Sequence, residues 1–438
     1  RATHREEFEM STPTTGTSTA SPRQVGSWQV VTLGALVVVA EGYDLIVYGA
    51  LLPKLLAEPG WGLTSASAGS IGSLVYLGML VGALVGGPIC DRVGRRGFVN
   101  VSVGWFTVWT VACALAQAPW QLGAARLLAG LGMGAVIPAA VALTKEYAPG
   151  QRTGLVVTIL MAGIPIGGTA ASLLGIALLP THGWRIMFLI GGGISLAVLA
   201  ISLVRLPESA SYTAASTDAT APPRPSAITA FADLFREHRA LLTTLFAVAT
   251  FANLLTWYGL NTWLTTLMRE MNYPLGSALT FSLCLNSGAV VGSLVLVLAA
   301  NRWGLRQVAA VCGVLTAAGI GVCAVGPQHT GILLTTVTVI GAAAQTALTL
   351  ILASVADSYP TRIRASAVGW ANGTGRAGAV VAPVLGGTIL AAGLGPRAVF
   401  LAFAASALVA AAVMVVLAAQ GRRAPTARLV PAPAEVTS

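Results

Sequence analysis

Charged side chains are scarce in this chain. Asp, Glu, Lys and Arg make up 9% of its 438 residues, whereas 55% are apolar; a soluble protein averages about 25% charged residues. Too few charges are present to cover a soluble domain, so most of the surface is expected to face lipid. Histidine is scarce as well, and the four present form no metal-binding pair. No phosphate-binding glycine loop precedes a helix and no nucleophile elbow occurs, so neither an enzymatic function nor a metal or cofactor is expected.

The cysteines and the basic residues argue against two further kinds of protein, one held by metal or disulfides and one that binds nucleic acid. No two of the five cysteines have the spacing of metal ligands, and we expect them to be packing residues without disulfides. The net charge of +10 is compatible with nucleic-acid binding. However, the basic residues fall in short turns between apolar runs, which is the pattern that orients membrane proteins. We therefore expect the lipid bilayer, and not nucleic acid, to be a partner of this chain.

Long hydrophobic runs are what the chain has in abundance. A bilayer crossing needs about 20 apolar residues, and runs of this length recur along the whole sequence. The pattern predicts an all-α integral membrane protein with twelve transmembrane helices. The predicted spans are 28–56, 67–89, 98–116, 120–142, 154–179, 185–205, 240–267, 276–300, 307–326, 331–356, 366–392 and 397–419.

A polar segment rich in Pro, Ala, Ser and Thr divides the spans into six and six. The ends of the chain have the composition of disordered segments, and a start at Met10 would make residues 1–9 an added or misassigned stretch. The predicted organisation is a disordered N-terminus at 1–27, a six-helix bundle at 28–205, a linker at 206–239, a second six-helix bundle at 240–419 and a disordered tail at 420–438.

The orientation follows from the positions of Lys and Arg. With the N-terminus inside, the inner segments hold 19 of these residues and the outer segments hold 4, while 2 remain within spans. Because cytoplasmic loops are enriched in Lys and Arg, both termini and the linker are predicted to be cytoplasmic, in a multi-pass protein of the plasma membrane.

The two halves contain matching turns. The segment at 91–96, DRVGRR, corresponds to NRWGLR at 301–306, and YAPGQR at 147–152 corresponds to YPTRIR at 359–364. Chance similarity of basic loops is the alternative. The similar offsets favour two parallel repeats that rock about a central site, as in two-bundle transporters.

These segments also resemble a known family. GPICDRVGRRG at 87–97 and RLLAGLGMGAVIP at 126–138 are similar to motifs of the major facilitator superfamily. Narrower similarity is to its aromatic acid:proton symporters, the benzoate and hydroxybenzoate carriers. It is carried by EGYDLIVYGALLP at 41–53, HGWRIMFLIGG at 182–192, LPES at 206–209 and the segment from 359 to 387, although Glu41 replaces the usual Asp.

The resemblance implies a carrier that brings an aromatic carboxylate and protons into the cell by alternating access. We expect a monomer, and a weak dimer is the alternative. A carrier or exporter of another small organic acid or drug is the alternative within transport. A membrane receptor is less favoured because neither the linker nor the tail is long enough for a folded output domain.

Two carboxylates, Glu41 and Asp44, lie at membrane depth in the first span. Each such charge costs roughly 2.5–3.5 kcal/mol unless it is compensated. At 1.5 Å per residue, Asp44 and Arg126 both lie about 24 Å above the cytoplasmic end of their spans, so we expect them to pair. Our hypothesis is that protonation of Glu41 or Asp44 alters this pairing and couples proton binding to rocking; a purely structural pair is the alternative.

The second half contributes the candidate substrate residues. Arg376 has no acid within its own span, and an arginine can bind a carboxylate through two hydrogen bonds; pairing with backbone carbonyls or a distant acid is the alternative. Aromatic residues of the seventh span are candidates for stacking on the substrate ring, unless they face lipid. Gln345 could bind a substrate hydroxyl or bridge helices. The full predicted substrate set is Arg376, Asn261, Trp257, Tyr258, Gln345 and Tyr48.

A third group is predicted to act as a conformational latch on the cytoplasmic side. It combines a charged turn, glycines that permit tight turning, and partners from the next inner turn; an ordinary solvated charge run is the alternative. Its members are Gly87, Asp91, Arg92, Gly94, Arg95, Arg96, Glu146 and Arg152.

Overall fold

The computed structural model describes residues 27–147, 153–208, 232–236, 239–326 and 329–423. Within these ranges, twelve helices are long and apolar enough to cross a membrane. The predicted disordered ends, most of the linker and Arg152 lie outside the described residues. The helices are α1 (Ser27–Leu56), α2 (Ser65–Val93), α3 (Arg95–Ala114), α4 (Pro119–Tyr147), α5 (Thr153–His182), α6 (Arg185–Arg205), α7 (Arg239–Glu270), α8 (Leu275–Trp303), α9 (Leu305–Val325), α10 (Thr330–Ser358), α11 (Thr361–Ala391) and α12 (Gly395–Arg423).

Each predicted span coincides with one helix, which confirms the predicted all-α membrane fold. Most helices extend beyond the apolar run by a few residues. The reason is visible in α4, where Lys145 and Glu146 continue the helix past the last apolar turn. Hydropathy marks the part of a helix that lipid surrounds, whereas backbone hydrogen bonding continues into the water-exposed turns.

The helices pair in the same way in both halves. In the first half α1 packs on α5, α2 on α4 and α3 on α6; in the second half α7 packs on α11, α8 on α10 and α9 on α12. The matching turns also have the same backbone, because Gly94 and Gly304 separate consecutive helices with φ of 87° and 93°. The structure therefore contains two similar six-helix bundles.

Glycines allow the closest helix contacts within the first bundle. A Cβ atom on Gly78 would collide with the carbonyl of Leu127, and one on Gly130 with the carbonyl of Val75. Small residues at these positions let the backbones of α2 and α4 approach directly, as is common between helices in a membrane.

The two bundles meet mainly at one end of the molecule. We call the end where α1 begins and α12 ends the terminal side, and the opposite end the far side. One apolar core cluster includes the far-side residues of both bundles. On the terminal side, the core of the second bundle is a separate cluster built from that bundle alone. The bundles are therefore joined at the far side and separate toward the terminal side.

Three helix pairs form this far-side contact. Between α1 and α7, Gly49 lies directly against the backbone carbonyl of Asn261. Between α2 and α11, the Ser73 hydroxyl donates to the carbonyl of Val380 at 2.6 Å. Between α5 and α8, Ser172 donates to Ser282 at 3.1 Å. We refer to these three contacts as the far-side seal.

Candidate functional site

The acidic pair of α1 is buried inside the first bundle. Glu41 and Asp44 are 0% and 1% exposed. None of their four carboxylate oxygens has a hydrogen-bond partner among the described residues. Buried polar groups in proteins are nearly always hydrogen-bonded, so among the described residues these two acids stand out as carboxyl groups whose oxygens are both unsatisfied.

Arg126 of α4 reaches Asp44, so the predicted equal depth of the two residues is confirmed. Its Nη1 donates to the backbone carbonyl of Asp44 at 2.9 Å, and the same nitrogen lies 3.6 Å from the Asp44 carboxylate oxygen Oδ2. The main hydrogen bond is therefore made to the backbone, and the carboxylate contact is a looser ion pair. Arg126 is itself 1% exposed.

Tyr48 completes this cluster one turn along α1. The Arg126 guanidinium lies over the Tyr48 ring, 5.1 Å from its centroid, a geometry in which the ring face attracts the cation. The Tyr48 hydroxyl donates to the carbonyl of Ala68 in α2 at 2.7 Å. Tyr48, which was predicted to bind substrate, is therefore engaged at both its ring and its hydroxyl in this conformation.

Arg376 of α11, in the second bundle, lies within electrostatic range of Glu41 in the first. It is partly exposed, and no described residue forms an ion pair with it within 4.0 Å. Its charge nevertheless acts on Glu41 and on Tyr258. Its neighbour Gly375 packs against α7. Arg376 is thus an available cation within electrostatic range of the buried Glu41.

The aromatic residues of α7 are buried in protein. Trp257 and Tyr258 are 1% and 8% exposed, which excludes the alternative that they face lipid. Tyr258 packs on Tyr76 of α2, with ring centroids 4.6 Å apart. The Asn261 side chain accepts a hydrogen bond from Asn286 of α8 at 3.1 Å, beside the far-side seal. Its side chain therefore bridges two helices in this conformation.

Gln345 of α10 lines a cavity between the bundles. The cavity has a volume of about 50 Å³, enough for a few water molecules. Its other walls are Thr349 of the same helix and Val157, Thr158, Met161 and Ala162 of α5. Because its walls belong to different bundles, a relative motion of the bundles changes its size.

The predicted latch is partly described. Arg95 forms an ion pair with Glu146, which joins α3 to α4. Arg96 donates from its backbone nitrogen to Glu208 at 3.2 Å and from its guanidinium to the carbonyl of Leu203 at 2.7 Å. These contacts lie within the first half, so they join its own elements. Gly87 is exposed, and Asp91 and Arg92 lie at the end of α2.

Two functional candidates are absent from the predicted set. Asn253 and Asn286 are buried amides in α7 and α8, and the side-chain oxygen of each lacks a partner among the described residues. Both could have been identified in the sequence in the same way as Gln345, because each is a polar residue inside an apolar run. Within the described ranges, no group of three or more His, Cys, Asp or Glu side chains is arranged to hold a metal ion.

Comparison with known proteins gives a consistent result. The family model described as Major Facilitator Superfamily matches residues 34–299 and 286–437. A gentisate transporter of Corynebacterium glutamicum is 38% identical over 390 residues, which cover 88% of this chain and 86% of that protein. A benzoate transport protein of Acinetobacter baylyi is 33% identical over 401 residues, covering 83% of each chain. Among solved structures, the nucleoside transporter NupG superposes with a TM-score of 0.71 at 16% identity, covering 89% of this chain and 99% of that one, which shows a shared fold.

Proposed function

Because this chain belongs to the Major Facilitator Superfamily, a superfamily of membrane transporters, we propose that it carries an aromatic carboxylate together with protons across the cytoplasmic membrane by alternating access. Relatives named as gentisate and benzoate transporters support the substrate class. The direction we propose is uptake. Both termini are cytoplasmic in this proposal, on the basis of the bias of Lys and Arg toward their side.

The observation that carries the proposal is Arg376. It lies about 22 Å along α11 at 1.5 Å per residue, which is mid-membrane for a helix of this length. It is partly exposed, and no described acid pairs with it within 4.0 Å. An arginine can bind a carboxylate through two parallel hydrogen bonds, and Tyr258 lies within range of its charge. We therefore assign Arg376 as the anchor for the substrate carboxylate, beside aromatic side chains that suit a ring.

Charge balance supports the proton part of the proposal. Four charged residues among the described ones lie in the middle of the membrane. Glu41 and Asp44 are acidic and Arg126 and Arg376 are basic, so their charges sum to zero when both acids are ionised. An incoming carboxylate adds one negative charge in a region of low dielectric, where uncompensated charge is costly. A proton on Glu41 or Asp44 restores the balance, which links proton uptake to substrate binding.

The conformation supports alternating access. The far-side seal is formed and the terminal-side cores are separate. In the proposed orientation, this is the state that opens toward the cytoplasm. Rocking would break the far-side seal and bring the terminal ends of the bundles together, with the buried acids and Arg376 near the pivot.

Uptake into proteoliposomes tests the proposal. The purified protein is reconstituted and offered labelled benzoate, gentisate and 4-hydroxybenzoate under an imposed inward pH gradient, with nicotinate and a non-aromatic acid such as lactate as comparison substrates. Accumulation of the aromatic acids that disappears when the gradient is collapsed supports it. Accumulation of none of them, or outward transport driven by proton entry, contradicts it; the second result identifies an exporter.

A further inference from the structure

Asn253 is a buried amide that uses only one of its two donor hydrogens and neither acceptor position of its oxygen. It is 4% exposed, and its Nδ2 donates to the carbonyl of Ala344 in α10 at 3.4 Å. This bond fixes the orientation of the amide, because only the nitrogen can donate to a carbonyl. The oxygen Oδ1 consequently points elsewhere and has no partner among the described residues. A buried acceptor in this state has a strong requirement for a donor.

The position of Asn253 links it to the proposed carboxylate anchor. On α11, Gly375 packs against Thr250 and Leu254, and Gly378 packs against the carbonyl of Phe251. Arg376 therefore lies on the turn of α11 that contacts the turn of α7 around Asn253. Both residues are about 21–22 Å along their helices at 1.5 Å per residue.

Asn253 also contacts the turn of α10 that contributes to the cavity between the bundles. The carbonyl that it binds belongs to Ala344, and the following residue, Gln345, lines that cavity. Gln345 is buried and carries both a donor and an acceptor. One turn further along α10, Thr349 also lines this cavity, whose surface is mostly apolar.

We propose that Asn253 and Gln345 form a specificity site for a ring hydroxyl of the substrate, and this inference rests on the proposed function above. A phenolic hydroxyl donates its proton to Asn253 Oδ1 and accepts from the Gln345 amide nitrogen. Arg376 holds the carboxylate of the same molecule on the adjacent helix. The carrier therefore prefers hydroxylated aromatic acids over benzoate.

The unpaired oxygen favours a hydroxyl over other groups. A second carboxylate would be repelled by Asn253 Oδ1, because both are acceptors, and an apolar substituent would leave the oxygen unpaired. A site built to bind a hydroxyl rejects the analogue that lacks it more strongly than an apolar pocket rejects an added group. Because the Asn253 amide is buried with an unpaired oxygen, a substrate that carries a hydroxyl group is preferred.

The test is a comparison of kcat/KM for labelled benzoate, 3-hydroxybenzoate, 4-hydroxybenzoate and gentisate in proteoliposomes of wild type, Asn253→Leu and Gln345→Leu. Wild type should prefer at least one hydroxylated acid over benzoate. In both variants that preference should fall at least about tenfold. The readout is the ratio of two substrates within one variant, so lower amounts of folded protein do not affect it.

Asn286→Leu is the matched control. Asn286 is likewise a buried amide whose oxygen is unpaired, but it bonds Asn261 and Ser282 beside the far-side seal. Its substitution should change all four substrates in parallel. An unchanged preference in both Asn253→Leu and Gln345→Leu, or an equal loss of all substrates, overturns the specificity site while leaving the carrier function intact. Failure of wild type to transport any of the four acids overturns both proposals.

Discussion

Arg126 holds Asp44 by its backbone rather than by its carboxylate. The guanidinium donates to the Asp44 carbonyl at 2.9 Å, whereas the carboxylate oxygen lies 3.6 Å away. The backbone bond does not depend on the protonation state of Asp44. The connection between α1 and α4 can therefore persist while the carboxylate gains or loses a proton, which is the property a coupling residue needs.

Asp44→Asn should consequently fold and insert but lose coupling. The amide keeps the size of the side chain and the backbone carbonyl that binds Arg126, and removes the ionisable group. We expect normal amounts in the membrane and a loss of proton-driven benzoate uptake of at least about tenfold. Uptake under an imposed pH gradient, normalised to the amount of protein, is the measurement. Wild-type uptake in this variant would show that Asp44 is not the coupling residue.

Arg126→Met should be destabilising. Methionine has a similar length, but its substitution leaves the Asp44 carboxylate buried without a counter-charge, and breaking a buried pair in this way costs about 3–5 kcal/mol. The check is thermal unfolding in detergent, read against wild type. The double variant Arg126→Met with Asp44→Asn should recover most of the loss, because no charge is then left unpaired. Equal stability of the single and double variants would contradict the pairing.

Arg376→Lys should weaken substrate binding. Lysine keeps the charge but cannot form the planar, two-bonded contact with a carboxylate, so we expect the KM for benzoate to rise about tenfold or more. The control is Arg185→Lys, because Arg185 pairs with Glu58 at 2.9 Å on the far side, away from the site. That variant should keep a KM close to wild type. If the two substitutions have the same small effect on KM, Arg376 is not the anchor.

Gly49→Ala should open the far-side seal. A Cβ at this position would collide with the carbonyl of Asn261 in α7. Overpacking of this kind costs about 1–3 kcal/mol, and the cost applies only while the seal is closed. The population of the far-side-open state should therefore rise about 5- to 150-fold. The rise can be followed by labelling of a cysteine introduced at Ser73, in a background without the native cysteines.

Gly193→Ala is the matched control for the seal, because a Cβ there meets no atom within 4 Å. It should label and transport like the parent protein. Equal labelling of the Gly49 and Gly193 variants would mean that the contact between α1 and α7 does not hold the far side closed.

Sequence predicts the fold of this protein well and its site only in part. The number of spans and their positions follow from hydropathy and length. The equal depth of Asp44 and Arg126 follows from the rise per residue of a helix. Which neighbouring helix a polar residue contacts depends on how the helices pack, and the sequence of a single span does not determine that packing. For this reason the burial of the Asn253 and Asn286 amides with unpaired oxygens, and the bond from Arg126 to a backbone carbonyl, required the structure.

The limits of the sequence are also visible at Asn261. Its spacing from Trp257 predicts a shared face, and the structure uses that face for the bond to Asn286 beside the seal. A helix wheel identifies neighbours within one helix, whereas the closing of two bundles decides which of those neighbours meet the other half. The same holds for Ser73 and Ser172, which look unremarkable in α2 and α5 yet bond across the bundles.

The central claim is that an aromatic carboxylate and a proton enter together. The most direct measurement follows the internal pH of proteoliposomes that contain a trapped pH-sensitive dye, with no gradient imposed, after benzoate is added outside. Permeation of undissociated benzoic acid through lipid is subtracted with protein-free vesicles. We predict protein-dependent internal acidification that accompanies labelled benzoate and is absent from Asp44→Asn. Benzoate entry through the wild-type protein without acidification, or acidification of the same size with Asp44→Asn, would contradict the account.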